Sequence, residues 1–275
     1  MVGGLAPSTS GVVVSATASA RPVLTFRNFS LRCDKSDPTV SFQTPWNWQC
    51  AQGKRIAVIT RNSFLRCQLI ASMSGAISPV AGKIVGNSVI GWPVGGEGGL
   101  DRKLRISHAV NFLSAIYSDC LIQSRVSKGE FWGLLEGMKI YPQIILKELS
   151  SDQKSFFYLA LSVFFSFDCY LIPSSTYLMS KNAERLRDLL LKQLEGKTLF
   201  ATSSDPQFQR RFCTEGLVLG SLGQILFSGA LSEAIQWSDQ NLEPSSLTQS
   251  EDDMYSTNLN FSNLESSDDP MFDFD

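Results

Sequence analysis

Apolar positions along the chain fall into short continuous runs separated by longer stretches in which they recur every three or four residues. Runs at 23–29, 39–42 and 46–50 predict β-strands, and a turn follows at Gln52-Gly53. IAVIT at 56–60 reads as a buried strand, because a strand covered on both faces is apolar throughout. Residues 64–73 carry helical spacing, so this part of the chain is a strand, loop, helix unit, the place where a phosphate-binding loop sits. After a turn at Ser78-Pro79 come a glycine-rich strand region at 82–90 and GWPVGGEGGL, with five glycines in ten residues, where the backbone bends freely. Helical patterns at 106–117, 129–135 and 151–165 lead into the buried strand CYLI at 169–172. A helix at 183–194, a second buried strand KTLFAT at 197–202 and a hairpin-like pair of strands at 216–226 complete the pattern. The sum predicts an α/β domain with a mostly parallel core sheet and an antiparallel portion.

With 275 residues, 43% hydrophobic and 18% charged, the chain buries a core of one large domain with extensions. The most apolar stretch, 158–172, contains Asp168 and falls short of the roughly twenty residues that span a bilayer. The first twenty residues hold no Lys or Arg, so the basic opening of a secretory signal is missing; residues 1–21 are expected to be a flexible arm. Six cysteines (Cys33, Cys50, Cys67, Cys120, Cys169, Cys213) are scattered without a CxxC pair and with a single histidine, His108, which gives no metal-site pattern and suits a reducing compartment. They also have no His or Asp partner at the spacing of a nucleophile.

Charge divides the chain. Residues 243–275 hold nine acidic residues and no basic one, leaving 24 basic against 17 acidic, or +7, in residues 1–242. The acidic stretch is rich in Ser and Asn, as disordered segments are, yet ends with Met271, Phe272 and Phe274 among aspartates; it reads either as a solubilising extension or as a partner-binding motif. The one tight basic cluster, Arg102-Lys103-Leu104-Arg105, lacks interleaved aromatics and is read as a solvated loop, so no nucleic-acid partner is expected.

Residues 23–238 as a whole resemble the ABC-transporter ATP-binding proteins of capsular and related polysaccharide export. The resemblance is carried by Gly91-Trp92-Pro93-Val94-Gly95, like the SWPVG-type segment ahead of that family's glutamine loop, and by Ser166 to Ile172, like its FDYYIVDE strand. The distance from Leu149 to Asp168 fits its signature helix. The resemblance implies an ABC nucleotide-binding-domain (P-loop NTPase-like) fold over 22–242, with a helical subdomain at about 101–165. It also implies a cytoplasmic protein peripheral to the inner membrane, with a transporter membrane subunit and/or an active ABC ATPase homologue as partner in a homo- or heterodimer. The helical stretch 106–122 lies where the family's membrane subunit docks, so Phe112, Leu113, Ile116 and Tyr117 either meet that partner or are ordinary core residues.

The family's catalytic motifs are eroded one after another, although Asn62 of the phosphate loop and the two serines of the signature, Ser150 and Ser151, are kept. A phosphate loop GxxxxGK[ST] uses glycines so that backbone N–H groups wrap the phosphates, a lysine to neutralise them and a hydroxyl to hold Mg²⁺. The matching residues are Thr60, Arg61, Asn62, Ser63, Phe64, Leu65, Arg66, Cys67 and Gln68: glycines become Thr60, Ser63 and Leu65, the lysine Arg66 and the Mg²⁺-binding serine Cys67. Phe64 and Leu65 are expected to compete with phosphate for space. Where the family places Asp-Glu at the end of a core strand stand Pro173 and Ser174, neither of which is a general base. The switch histidine matches Ser203, and the glutamine-loop position Asp101. The residue stacking on adenine is replaced near Cys33. The signature loop reads Ser150-Ser151-Asp152-Gln153, with a carboxylate where the γ-phosphate of a partner's ATP would face it. No catalytic residue, metal or cofactor is therefore expected, ATP with Mg²⁺ being the one candidate ligand.

Phosphoryl transfer rests on positioning and charge stabilisation, so these losses together imply a pseudo-ATPase acting as a scaffold or regulator. Two alternatives stand: a transport ATPase that keeps weak ATP binding or hydrolysis, with Arg66 pairing phosphate in place of lysine, and a freestanding interaction module acting through its acidic stretch. For Arg61 and Arg66 the greater weight goes to surface residues that open a helix. For Trp92 it goes to a turn packing an aromatic on the core.

Overall fold

A computed structural model describes residues 22–242. The N-terminal arm and the acidic stretch expected at 1–21 and 243–275 lie outside the described residues. Strands β1 (Pro22–Ser30), β2 (Trp46–Ala51) and β4 (Ala81–Val85) make an antiparallel sheet in the order β2-β1-β4. The second sheet has the order β5-β6-β3-β7-β8, from β3 (Arg55–Ile59), β5 (Cys169–Ile172), β6 (Thr198–Ala201), β7 (Glu215–Leu219) and β8 (Ile225–Ala230). Its first four strands are parallel, and β8 pairs antiparallel with β7.

Helix α1 (Ser63–Met73) follows β3. Between β4 and β5 lie α2 (Ile106–Ile116), α3 (Ser118–Ile122), α4 (Lys128–Gly137) and α5 (Ser151–Phe164). Helices α6 (Glu184–Gln193), α7 (Pro206–Phe212) and α8 (Leu231–Asn241) follow β5, β6 and β8.

The continuous apolar runs sort residue by residue onto two cores, because successive strand side chains point to opposite faces. Ile56 and Val58 of β3, Cys169 and Leu171 of β5, and Phe200 of β6 join Phe26, Phe29, Trp46 and the inner side of α1. Ala57, Tyr170, Ile172, Leu199 and Ala201 face the larger core under the helices, where Phe131 stacks on Phe164 with ring centroids 4.3 Å apart. This central sheet is what lets one chain carry a β-rich layer and a helical layer.

Several expectations are corrected. Residues 39–42 form no strand, only an isolated bridge between Arg32 and Ser41. The strand region at 82–90 shrinks to β4 and a single bridge from Ile90 to Cys169. The helical stretch 106–122 breaks at Tyr117, whose φ of −108° and ψ of 40° leave the helical region. Tyr117 turns inward onto Trp92, while Leu113 is buried and Phe112 and Ile116 are 53% and 55% exposed. Helices α7 and α8 were not anticipated.

Trp92 packs edge-on against Phe165 and Phe167, at 5.7 and 5.1 Å between ring centroids. The peptide N–H groups of Gly91 and Val94 donate to Cys169 and Leu171 at 2.9 and 2.8 Å. The WPVG segment is thus strapped along β5.

Candidate functional site

The parallel strands bring four chain segments to one edge of the sheet, the carboxyl ends where α/β proteins place ligands. These are Thr60 to Asn62 after β3, Pro173-Ser174 after β5, Thr202 to Ser204 after β6 and the turn 220–224 after β7. Residues dispersed over more than 150 positions of sequence thereby become neighbours.

The link from β3 to α1 is only three residues long. Asn62 is the N-cap of α1, with φ −83° and ψ 98°, and its Oδ1 accepts from the amide of Leu65 at 2.9 Å. Its Nδ2 donates to the carbonyls of Cys33 at 2.7 Å and Ser221 at 2.9 Å. One side chain therefore ties the helix start to two loops. Thr60 Oγ1 accepts from the amide of Asn62 at 3.2 Å, and the Asn62 carbonyl accepts from the amide of Arg66 at 3.2 Å. The amides of residues 62, 65 and 66 are in this way engaged by the chain's own oxygens. Among the described residues, positive φ occurs at other positions and at none from 60 to 68.

A phosphate loop needs left-handed, glycine-type backbone and inward-facing amides. Here the helix already begins at Ser63, so 63–65 form its first turn. Ser63 is half-buried, as is Gln68. The expected competition from Leu65 is corrected: its side chain is fully buried in the core beneath α1 and takes no phosphate space. Cys67 is also buried.

Arg61 is exposed, whereas Arg66 is half-buried and its Nη1 reaches the Thr202 carbonyl at 3.4 Å. Both arginines line a cleft of about 250 Å³ together with Thr60, Ser203, Gln209 and Ser238. Arg66 is thus part of a concave surface rather than a simple surface residue.

Ser203 is buried and its hydroxyl lies 2.7 Å from that of Ser175. Its carbonyl accepts from Gln209 Nε2 at 2.8 Å, and its Oγ accepts from the Asp205 amide at 3.3 Å. Asp205 caps α7, with Pro206 at the first helical position. The Pro173 carbonyl accepts from Thr202 Oγ1 at 3.1 Å, and the Ser174 hydroxyl sits 3.3 Å from Thr176 Oγ1. This strand-end cluster is a hydroxyl network, with no carboxylate at 173 or 174 to hold a metal or activate water.

The signature residues lie apart from the cleft lining. Ser150 caps α5 in a reciprocal box with Gln153, whose Oε1 accepts from the Ser150 amide at 3.1 Å while its amide donates to Ser150 Oγ at 3.2 Å. Ser151 opens the helix and Asp152 lies in its first turn, where the helix dipole favours an anion. Asp152 also meets Asn182 Nδ2 at 3.5 Å, and its carbonyl accepts from the Tyr177 hydroxyl. Asp101 turns back onto the amide of Lys103 at 2.8 Å. Near Cys33, the backbone is pinned by Asn62 and by Val40.

The chain as a whole superposes on solved ABC subunits. One, described as an ATP-binding subunit of an ABC transporter, superposes with a TM-score of 0.57 at 13% identity, over 86% of this chain and 98% of that one. Another, cbiO1 from Clostridium perfringens, part of the ABC transporter complex cbiONQ, gives 0.51 at 15% identity over 80% and 96%. The fold is that of an ABC ATP-binding subunit.

Sequence relatives carry the comparison further. ATP-binding protein BexA of Haemophilus influenzae is 29% identical over 175 residues, 63% of this chain and 78% of that protein. Polysialic acid transport ATP-binding protein KpsT of Escherichia coli is 28% identical over 186 residues, 67% and 84%. Capsule polysaccharide export ATP-binding protein CtrD of Neisseria meningitidis serogroup B is 25% identical over 174 residues, 63% and 79%. Homologues of this chain are therefore ATP-binding proteins, among them ones of polysialic acid transport and of capsule polysaccharide export. No family profile matches the chain.

Of the cleft, sequence reasoning reached Thr60, Arg61, Arg66 and Ser203 but missed Gln209, Ile235, Ser238 and Asp239. The signals were present: Asp205-Pro206 is a cap followed by a first-turn proline. Leu231, Ala234 and Ile235 have helical spacing. Among the described residues no helix is long and apolar enough to cross a membrane, and no group of three His, Cys, Asp or Glu could hold a metal ion.

Proposed function

We propose that this chain is a non-hydrolysing ABC-ATPase-like subunit of a polysaccharide export transporter, acting as scaffold or regulator. The observation that carries the reading is the β3–α1 link, whose amides at 62, 65 and 66 are spent on the chain's own oxygens. An anion there would have to displace these bonds, each worth about 1 kcal/mol net, before gaining any of its own. With Cys67 buried and Pro173-Ser174 at the strand end, the residues present do not fit Mg-ATP as a phosphate loop holds it.

The expected partner is the transporter's membrane subunit or an active homologue, on the cytoplasmic side of the inner membrane. The split of the 106–122 helix supports a docking role, since Phe112, Ile116 and Ile122 leave apolar side chains outside while Ile106, Val110 and Leu113 fill the core. Single exposed apolar residues are ordinary, but Phe112 and Ile116, four residues apart on α2, share one face of that helix. Weak ATP binding is the second reading, favoured by Arg66 standing in the cleft beside Ser203 and Ser204.

Calorimetric titration with ATP, with and without Mg²⁺, at protein concentrations that detect a Kd of about 1 mM, roughly −4 kcal/mol, separates the two. The proposal expects no saturable heat. Mg²⁺-dependent saturation would instead establish Arg66 and its neighbours as a working phosphate site.

A further inference from the structure

We propose that the outer face of the β2-β1-β4 sheet, centred on Arg27 of β1 and Lys83 of β4, docks an acidic extended segment of a partner protein.

The register puts these two cations side by side. Phe26 and Ile84 pair across β1 and β4 and pack on the inner core, so the next pair along, Arg27 and Lys83, points to the opposite face. Residues directly opposite in an antiparallel pair have Cβ atoms about 5 Å apart, and like charges placed there destabilise a sheet. Both side chains are exposed, and among the described residues neither forms an ion pair. Their repulsion is offset by no described carboxylate.

The backbone is irregular at the same point. Phe26 pairs with Trp48 and Phe29 with Trp46, so Arg27 and Asn28 form a bulge facing Asn47 alone. On the other side Arg27 pairs with Lys83 and Ser30 with Ala81, which leaves Gly82 opposite two residues of β1. Asn28 takes a left-handed φ of 51°, and a Cβ on Gly82 would stand 2.2 Å from the carbonyl oxygens of Arg27 and Asn28. Asn47 Oδ1 holds the bulge by accepting from the Asn28 amide at 3.0 Å. Bulges re-aim side chains, and breaks of local rule that gather in one place are characteristic of functional surfaces.

Charge and count decide the occupant. Two cations fall short of the roughly four to eight that hold a basic segment on an acidic membrane. A nucleic acid needs a basic groove with aromatics to stack on, whereas Phe26, Phe29 and Trp46 are turned into the core. Carboxylates at alternate positions of an extended segment stand about 7 Å apart on one face. One can then take the Arg27 guanidinium in a paired hydrogen bond while the next meets the Lys83 ammonium.

The probe is poly-L-glutamate, titrated into the ¹⁵N-labelled full chain at low salt, with phosphatidylserine vesicles tested in parallel. Saturable shifts of the amide signals of Thr25, Arg27, Lys83 and Val85 are expected. They should vanish in about 1 M NaCl, where the screening length falls to about 3 Å. Arg27→Gln and Lys83→Gln should each weaken binding about two- to fivefold. Lys83→Glu separates docking from structure, because it sets opposite charges across the strand pair. Its Tm should rise by roughly 1–4 °C while the saturable shifts disappear. A fall in Tm with Lys83→Glu would overturn the proposal, since the fold itself would then be using the lysine. So would shifts centred elsewhere on the chain, affinity unchanged in the two glutamine variants, or vesicles binding through these residues where the polypeptide does not. Neither residue lines the cleft at the end of β3, so the outcome is readable whatever the nucleotide titration gives.

Discussion

Replacing Asn62 tests whether the site is organised by this side chain or merely capped by it. Asn62→Ala removes the N-cap of α1 and both Nδ2 hydrogen bonds, to the Cys33 and Ser221 carbonyls. A cap is worth about 1 kcal/mol and each hydrogen bond about 1 kcal/mol, for a loss of about 3 kcal/mol. In a domain of this size about 1 kcal/mol moves Tm by roughly 2–4 °C, so a fall of about 6–12 °C is expected by circular dichroism. Asn62→Asp is the sharper test. It keeps the capping oxygen and adds a charge that the helix start favours by about 0.3–1 kcal/mol. Yet it deletes both donors and sets a carboxylate oxygen against two carbonyl oxygens. The net expectation is a destabilisation of at least about 1–2 kcal/mol, a Tm drop of roughly 2–8 °C. Were Asn62→Asp as stable as the parent chain or more so, the cap would be the whole role, and the reasoning that links this residue to the 33 and 221 loops would be refuted.

Gly91→Ala would place a Cβ 2.5 Å from the Phe167 ring, in a packed wall that includes Trp92; an overpacking cost of about 1–3 kcal/mol is expected, with a lowered urea midpoint as the readout. Burial pushes the thiol of Cys33 up to about 11 and those of Cys50 and Cys213 up to about 12, from 9.0. In that window the unfolded chain has released protons that the folded chain retains, so stability falls as pH rises from about 9 towards 12 and is unaffected by these groups below 9. Each thiol contributes a slope of up to about 1.4 kcal/mol per pH unit. Denaturant midpoints that stay level between pH 9 and 11 would contradict this, while replacing Cys213 with Ala or Val should flatten the slope.

Much of the fold was legible from pattern alone. Strands such as IAVIT and CYLI are continuous apolar runs because both faces are covered, and that property is local enough to read without contacts. The strand at 39–42 was misread because Phe42 owes its burial to Trp46 and to the turn at Gly223, not to a sheet partner. Likewise, the 106–122 helix has an unbroken apolar periodicity, but Tyr117 is drawn into the aromatic cluster of Trp92 and Phe167 and the helix breaks there.

The amino-acid sequence by itself determined which chemical groups stand at the strand ends: Thr60, Arg66 and Cys67 on one side, Pro173, Ser174 and Ser203 on the other. Those are identities, and no packing can restore a missing carboxylate or glycine. Only the tertiary structure decided what the remaining groups do. It sent Leu65 into the core instead of the phosphate space, spent the amides of 62, 65 and 66 internally, and carried α8 to the rim beside Arg61. The reason is that side-chain direction at a strand-helix junction depends on where the helix starts and which sheet face lies beneath it. Both are set by contacts with residues far away in the chain.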